Sequence, residues 1–318
     1  MYNIGIVKDL NTKWWIKFEE YIKERGVSHK LVDIEQQNWI EQIAPCECII
    51  WRPNLSEPYL TQAREKLFFL QNILNKTAYP NQECFWHYNN KNAQSYLFDH
   101  YGIKTPAHFI SYSYEDAHDY LVSCSYPVVS KALGGAGGEN VRLLRNYKEA
   151  KSELDYLFNR GLTNRAKRKL LSITGLKRTL YDSQYSYVNF QQFIPENTRD
   201  FRVTTIGDCY AFAFYRNNRE NDFRASGSGH IDYESRHDLR AIKYCMEISR
   251  KCHFDSVCYD ILYDKDDFYI CEFSYIFNDE AIYNCPGYYK FSDNEMEFIQ
   301  GHKWPQELIV DYLFKKWA

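Results

Sequence analysis

Two acidic residues in the last quarter of the sequence are spaced so that a β-hairpin would bring them together. Residues 257–263 and 268–274 are rich in Tyr, Ile, Phe and Cys, and polar turn residues separate them. A turn centred on Asp266 places Asp260 opposite Glu272, with the two side chains about 5 Å apart on one face. Like charges in that arrangement destabilise a sheet unless a cation or a shared proton compensates them.

A third oxygen lies on the same face of this hairpin. Ser274 follows Glu272 by two residues, so both side chains project to one side of the strand. Mg²⁺ prefers oxygen ligands and binds through few protein groups plus substrate phosphates, and Mn²⁺ could replace it. We therefore predict Asp260, Glu272 and Ser274 as metal ligands. The alternative is a solvent-facing sheet surface on which the two acids pair with lysines.

A glycine-rich segment predicts a phosphate-binding loop. Four glycines fall within five residues, and backbone N–H groups in such a loop can close over phosphate oxygens. Lys131 interrupts the apolar strand before it, where an ammonium could lie beside phosphate. The spacing matches neither a P-loop nor a protein kinase, and the alternative is an ordinary hairpin tip. The glycines are Gly134, Gly135, Gly137 and Gly138.

Residues 189–202 predict a hinge followed by a charged strand. Pro195 argues against a continuous central strand and suits a hinge between two lobes, where exposed backbone groups could pair with an adenine edge. Beyond it, Asp200 and Arg202 share one face of the next strand. Arg216 and Arg224 follow downstream and add cations to the same lobe. For Arg202 an ordinary cross-strand salt bridge remains the alternative.

The elements that position these residues begin with a β-α-β-α-β pattern, which predicts a small parallel sheet. The first turn contains no glycine to approach a pyrophosphate, so we expect this segment to shape an acceptor pocket instead of a dinucleotide site. The pattern comprises a strand at 2–7, a helix at 12–25 with Trp15, Phe18 and Ile22 on one face, a strand at 29–34, a helical stretch at 40–43 and a strand at 48–51.

The rest of the chain mixes helices with antiparallel strands. The expected fold is α/β with α+β lobes, an N-terminal parallel sheet preceding a two-lobed core. Predicted elements are helices at 58–78, 92–101 (ended by Gly102) and 305–317, strands at 127–133 and 141–144, and a hairpin of 201–206 with 210–215 around Gly207-Asp208.

Composition excludes several classes of protein. The 318 residues carry a net charge of −3, so no basic field marks a nucleic-acid binder, and an aromatic content of 17% argues against disorder. The start does not read as a secretory segment, and no apolar stretch is long enough for a membrane span. Ten cysteines without a Cys-x-x-Cys pair predict reduced, mostly buried thiols and a cytoplasmic location.

The order of these parts resembles the ATP-grasp ligases, and most closely the branch that includes the ribosomal-protein glutamate-adding ligases. The matching stretches cover roughly residues 85–280. They are Asn90-Lys-Asn-Ala-Gln, Tyr101-Gly-Ile-Lys-Thr-Pro106, the Lys131 strand with its glycine loop, Gln192-Phe-Ile194, Asp200-Phe-Arg-Val203, Asp222-Phe-Arg224, and Tyr259-Asp-Ile-Leu262 with Glu272-Phe-Ser274.

The resemblance implies a role for each matching residue. Lys91 and Lys131 would contact ATP phosphates, with the glycine loop as a lid. Gln192, Phe193 and Ile194 would meet adenine, with Glu196 or Asp200 near the ribose. Arg224 would contact phosphate or the reacting carboxylate, and Arg202 and Arg216 complete the predicted catalytic set. The family usually has Asn where this sequence has Ser274. The implied domains are an N-terminal α/β domain at 1–85, a lobe with the central lysine at 86–190 and a C-terminal lobe with the metal hairpin at 191–318.

The implied activity is ATP-dependent ligation of a carboxylate to an amine through an acyl phosphate, in peptide formation or the decoration of a saccharide precursor. Two other readings remain open: a degenerate ATP-binding sensor or scaffold, which Ser274 favours, and a nucleic-acid-binding module, which the net charge disfavours. Residues 160–178 are rich in Lys and Arg and predict either a solvated helix face or a docking patch for an anionic acceptor.

Overall fold

The computed structural model describes residues 3–9, 13–54, 59–132, 141–158, 186–220, 222, 229–292 and 295–317. Gly134, Gly135, Gly137, Gly138, Arg224 and the basic segment 160–178 lie outside the described residues. Within the described part of the chain, no helix is both long and apolar enough to cross a lipid bilayer.

The N-terminal part forms a four-stranded parallel sheet with strand order β2-β1-β3-β4. Its first strand is buried along its whole length, as expected where helices cover both faces of a parallel sheet. The strands are β1 (Ile4–Val7), β2 (His29–Val32), β3 (Cys48–Ile50) and β4 (Thr77–Tyr79). The helices are α1 (Trp14–Glu24), α2 (Trp39–Ile43), α3 (Tyr59–Phe68) and α4 (Gln82–Trp86), and a π-helical turn, Phe69–Ile73, extends α3.

Two predictions for this part need correction. The helix predicted at 58–78 ends early, and β4 occupies its last residues because pairing with β3 overrides the local helical pattern. The buried stripe of α1 consists of Trp14, Phe18 and Ile22, and Trp15 is only half-buried. Trp14 packs with Phe18, Ile22 and Ile4 in one buried cluster, whereas Trp15 lies about 100° further around the helix and packs only at the edge of that cluster.

A second sheet of four antiparallel strands has the order β5-β8-β6-β7. Leu121 and Leu154 of the two flanking helices pack with Phe190 in a core of its own. Its strands are β5 (His108–Ser111), β6 (Val128–Lys131), β7 (Val141–Leu144) and β8 (Val188–Gln192). The helices are α5 (Lys91–Tyr101), which ends at the left-handed Gly102 as predicted, α6 (Tyr114–Ser123) and α7 (Tyr147–Leu157).

The largest sheet has seven strands, ordered β13-β12-β9-β10-β14-β15, with β11 added to β10. Helix α8 packs on one face through Ala241, Ile242 and Cys245, so this face is the apolar one. The strands are β9 (Arg199–Ile206), β10 (Tyr210–Asn217), β11 (Ile231–Asp232), β12 (Ser256–Asp264), β13 (Asp267–Ser274), β14 (Gly287–Ser292) and β15 (Glu295–Gln300). The helices are α8 (Leu239–Lys251), α9 (Asp279–Tyr283) and α10 (Pro305–Trp317), the last with the predicted bounds.

The predicted facing of Asp260 and Glu272 is confirmed, but by different local geometry. Asp264 pairs with Asp267, so the turn has two central residues and its centre lies before Asp266. A β-bulge at Cys271 then inserts one extra residue into β13. The bulge shifts the register by one residue and brings the two acids opposite each other.

The cysteine prediction is also confirmed. All ten are free thiols, and eight of them are buried.

Candidate active site

The face of the large sheet opposite α8 carries a row of charged side chains. Arg202 on β9 pairs in register with Asp260 on β12, which pairs with Glu272 on β13. Residues directly opposite on adjacent strands share a face, so these three side chains form one continuous row. Ser274 lies one row further along, opposite Cys258.

Arginines neutralise Asp260. Arg202 donates from Nε to Oδ1 at 2.9 Å and from Nη2 to Oδ1 at 2.7 Å and Oδ2 at 3.0 Å. Arg216 adds an ion pair from Nη2 to Oδ2 at 2.9 Å. The compensation that the sequence assigned to a metal is therefore supplied in this structure by two guanidinium groups, and the cross-strand salt bridge left open for Arg202 is present.

Asp200 completes this network by pairing with Arg216, and both side chains are buried. Burial opposes ionisation of Asp260, yet Arg202 and Arg216 outweigh that effect and lower its pKa to about 2. Burial raises the pKa of Asp200, and the negative charge of Asp260 raises it further. Of the two carboxyl groups, Asp260 is therefore the one held firmly in its ionised form.

Glu272 has a different partner. Lys91 is the first residue of α5 and forms an ion pair with Glu272 Oε1. The N-cap residue Asn90 anchors this end of the helix, because its side chain accepts a hydrogen bond from the Ala93 N–H at 3.1 Å. Asparagine capping thus places Lys91 against the β12–β13 hairpin.

Lys131 reaches the same strand from the small sheet. It ends β6, is only 7% exposed, and donates from Nζ to the Cys271 carbonyl oxygen at 3.0 Å. Cys271 is the bulge residue, and its thiol lies 3.6 Å from the Gln191 amide oxygen on β8. A lysine ammonium has three donors, so Lys131 keeps capacity for an anion at this junction. Lys91, Lys131 and Glu272 therefore converge where the small sheet meets β13.

The predicted hinge connects the two sheets, because β8 belongs to one and β9 to the other. Gln192 is exposed and Ile194 is buried, and Glu196 is exposed with a left-handed backbone conformation (φ 61°). Between the two candidates for a ribose contact, Glu196 is accessible, whereas Asp200 is engaged with Arg216. The adenine contacts of Gln192, Phe193 and Ile194 stay predictions.

Sequence reasoning missed the residue that anchors this hinge. Asn197 Nδ2 donates to the Tyr263 carbonyl oxygen at 2.9 Å, and its Oδ1 accepts from the Tyr263 N–H at 2.9 Å. A second bond from Nδ2 to the Pro195 carbonyl oxygen, at 3.0 Å, closes the linker on itself. An Asn two residues after a proline is a turn signal, but nothing local indicates that it binds a strand 66 residues away.

The three predicted metal ligands have the chemistry that Mg²⁺ prefers, but their present hydrogen bonds compete with a metal ion. Two carboxylates in register and a hydroxyl on the same face are hard oxygen ligands. Within the described ranges, no group of three or more His, Cys, Asp or Glu side chains is arranged to hold a metal ion, so Ser274 is the predicted third protein oxygen. Both oxygens of Asp260 contact guanidinium groups, and Ser274 Oγ accepts a hydrogen bond from the Ile276 N–H at 3.1 Å. A metal ion must therefore displace part of the arginine pairing.

Comparison with known proteins identifies the family of the chain. The family model for the RimK-like ATP-grasp domain matches residues 89–279. The α-aminoadipate–LysW ligase LysX of Saccharolobus solfataricus is 25% identical over 183 residues, and this match spans 58% of the chain and 59% of the length of LysX.

Solved structures show the same fold. D-cycloserine synthetase DcsG aligns with a TM-score of 0.65 at 12% identity, over 99% of this chain and all of that one (100%). A RiPP-associated ATP-grasp ligase from Chryseobacterium gregarium, in complex with ADP and a leader and core peptide, aligns with a TM-score of 0.62 at 17% identity, over 99% of this chain and 97% of that one. The family model covers more than half of the 318 residues, and the chain therefore belongs to the RimK-like ATP-grasp family.

Proposed function

We propose that the protein is an ATP- and Mg²⁺-dependent ligase that joins a carboxylate to an amine through an acyl phosphate. The observation that carries the proposal is the convergence of Lys91 and Lys131, from two separate elements of the smaller lobe, on the strand that bears Glu272. Family membership supports it, because the curated relative is a ligase. The three sheets support the proposed domains 1–85, 86–190 and 191–318.

Each lysine has a defined task in this mechanism. Glu272 would be one of the residues that hold a metal ion, and Lys91, released from that carboxylate, would then contact an ATP phosphate. Lys131 holds a second phosphate from its buried position on β6. Because Lys131 is buried and already held by the Cys271 carbonyl oxygen, its ammonium group can stabilise charge on the phosphoryl group with little reorganisation.

A metal ion held by Asp260, Glu272 and Ser274 would supply further electrostatic stabilisation of the phosphate oxygens. In the first step, a substrate carboxylate oxygen forms a bond to the γ-phosphorus and the bond to ADP breaks. In the second step, an amine nitrogen attacks the acyl carbon, the bond to phosphate breaks, and the nitrogen loses a proton.

Arg202, Arg216 and Arg224 are the proposed catalytic cations. Arg202 is suited to orient the reacting carboxylate because it lies in the same row as Asp260 and Glu272. Arg216 is buried with Asp200 and acts on the site through Asp260. The proposed substrates are a small-molecule, saccharide or peptide carboxylate and an amine; the peptide bound by the Chryseobacterium gregarium neighbour supports the peptide class.

ADP release over a panel of carboxylates and amines, with Mg²⁺ or with EDTA, tests this function. Glu272→Gln and Lys131→Met should abolish turnover. Asp267→Asn is the matched control, since Asp267 also lies on β13 and also pairs with a lysine, Lys104, but at the exposed turn. Turnover that survives Glu272→Gln, or that does not need a divalent ion, contradicts the proposal.

A catalytically degenerate nucleotide sensor is the second candidate. It is favoured by the full engagement of Asp260 with Arg202 and Arg216, which competes with a metal ion. Tight ATP binding that is independent of Mg²⁺, without ADP release for any substrate pair, would select the sensor over the ligase.

A further inference from the structure

A cluster of buried polar side chains joins α5 to the small sheet. It consists of Asn189 on β8 and of Asn92 and Ser95 on α5, each at most 4% exposed, and we call these three residues the Asn189 cluster. Asn189 Nδ2 donates to Asn92 Oδ1 at 3.1 Å and to Ser95 Oγ at 3.3 Å. One amide group therefore binds two side chains that lie about one turn apart on the helix.

The Asn189 cluster is bonded to the part of the backbone that carries Lys91. Ser95 Oγ donates to the Lys91 carbonyl oxygen at 3.0 Å, and Asn92 directly follows Lys91 in the chain. Asn92 Nδ2 also donates to the hydroxyl of Tyr112, just beyond the end of β5, at 3.1 Å. The first turn of α5 therefore cannot shift along the sheet without breaking these bonds, and the position of the Lys91 backbone is fixed with it.

Strand β8 also places the cluster beside Lys131. β6 and β8 are antiparallel, and Ser130 pairs with Phe190. Extending this register by one residue sets Lys131 opposite Asn189. Phe190 packs with the helices α6 and α7 in the core of the small sheet, so Asn189 projects to the opposite face, where α5 lies. Asn189 therefore contacts the helix of one lysine and is the cross-strand neighbour of the other.

The polar character of this contact distinguishes α5 from other helices of the chain. Helix α1 buries only apolar side chains, whereas α5 buries Asn92, Gln94 and Ser95 near its start. An apolar contact of the same shape would stabilise the fold about as well, because the net contribution of a hydrogen bond is small. Hydrogen bonds have defined directions, however, so a buried polar cluster selects one arrangement of the helix on the sheet.

We propose that Asn189 is a positioning residue for ATP, which holds the Lys91 ammonium group at the distance from Lys131 that the phosphates of one nucleotide require. This inference rests on the proposed function, since it takes ATP as the ligand of both lysines. Asn189 is buried and acts through the first turn of α5. The Lys91 side chain is long and flexible, and a fixed backbone limits the positions that its ammonium group can reach.

Calorimetric titration of the full chain with a non-hydrolysable ATP analogue and Mg²⁺ tests the inference, with adenosine as the probe that lacks phosphates. Asn189→Leu replaces the amide by an apolar side chain of similar size. We expect this change to weaken binding of the analogue at least about tenfold, as for the loss of one charge-assisted contact, and to alter adenosine binding by less than about twofold. Ser95→Ala removes one acceptor of the cluster and should weaken binding of the analogue about threefold.

A double-mutant cycle separates positioning of Lys91 from a general structural role. In the Lys91→Met background, Asn189→Leu should weaken binding of the analogue by less than about twofold, because the ammonium group that the cluster positions is absent. Two residues that act independently would instead give additive losses.

Thr205→Val is the matched control. Thr205 is also buried, and its Oγ1 lies 2.6 Å from the Ser249 hydroxyl oxygen, so this pair joins α8 to β9 as the Asn189 cluster joins α5 to β8. Thr205→Val should leave binding of the analogue unchanged. If urea unfolding shows that Asn189→Leu does not fold, Ser95→Ala in the natural and Lys91→Met backgrounds provides the same comparison.

If Asn189→Leu and Ser95→Ala both bind the analogue like the natural chain, the inference is overturned. An equal loss of adenosine binding, or a loss that is as large in the Lys91→Met background, also overturns it, because the cluster then supports the fold and does not act through Lys91. These results leave the ligase function intact if the natural chain releases ADP with Mg²⁺. A natural chain that binds no nucleotide at all overturns the proposed function itself.

Discussion

Asp260→Asn and Glu272→Gln should have similar effects on activity and very different effects on stability. Both residues are proposed metal ligands, so each substitution should abolish ADP release. Asp260, however, is the shared anion of two arginines, and Arg216 is only 9% exposed at its side chain. Glu272 has one lysine partner and a side chain that is 34% exposed.

The expected magnitudes follow from these contacts. Replacing the Asp260 carboxylate by an amide weakens its hydrogen bonds from Arg202, removes the acceptor at Oδ2 and abolishes the ion pair with Arg216. Loss of one partner of a buried ion pair costs about 3–5 kcal/mol, because the remaining charge is left without compensation. A single partly exposed pair such as Glu272 with Lys91 contributes no more than about 1 kcal/mol.

Urea unfolding followed by tryptophan fluorescence measures this difference. Asp260→Asn should lower the unfolding free energy by about 3–5 kcal/mol, and Glu272→Gln should stay within about 1 kcal/mol of the natural chain. Asp267→Asn, which removes an exposed lysine partner on the same strand, provides the baseline. If Asp260→Asn is no more destabilising than Glu272→Gln, then the arginine network is not a structural element and this reasoning is wrong.

Three further predictions concern other parts of the fold. Burial lowers the pKa of His87 to about 3, whereas an unfolded histidine titrates near about 6.5. The folded chain is therefore destabilised as the pH falls from about 6.5 towards 3, by about 2 kcal/mol at pH 5, because the unfolded chain binds the proton more readily. His87→Leu should flatten this part of a pH series of urea titrations. Asn197→Ala removes the bonds that tie the hinge to Tyr263 and should destabilise the chain by about 1–3 kcal/mol, with faster amide hydrogen exchange at Tyr263; unchanged exchange would count against the anchoring role. Gly207→Ala should lower the free energy of unfolding by several times the roughly 1 kcal/mol expected for Gly26→Ala. Both glycines have positive φ, but only at Gly207 would a Cβ overlap the Tyr312 ring. Equal losses of stability in thermal unfolding would contradict this.

Short-range sequence patterns were sufficient to predict those helices and hairpins whose structure depends on a single periodicity and a single turn. Helix α10 has the predicted bounds, and α5 ends at Gly102 because a left-handed residue is needed there. The hairpin of β9 and β10 around Gly207 is likewise readable from alternation. Strand β4 was missed because its three residues carry no period, and pairing with β3 makes it a strand.

In the candidate site, too, some residue positions follow from short-range sequence patterns and others depend on tertiary packing. Alternation along β12 and β13 places Asp260 and Glu272 on one face, yet their pairing also depends on the bulge at Cys271, which local sequence does not reveal. Lys131 was predicted from its position in an apolar strand before the glycine loop and Lys91 from the family resemblance, and their convergence on β13 is a property of the assembled lobes.

The sequence by itself determined which faces of the strands are polar, where the turns fall and which residue types are available for phosphate and metal chemistry. These properties depend on side-chain period and backbone preference over a few residues. The tertiary structure decided which cation neutralises which acid. Such pairings depend on distances between segments that are far apart in the chain, and these distances exist only after the sheets have packed together.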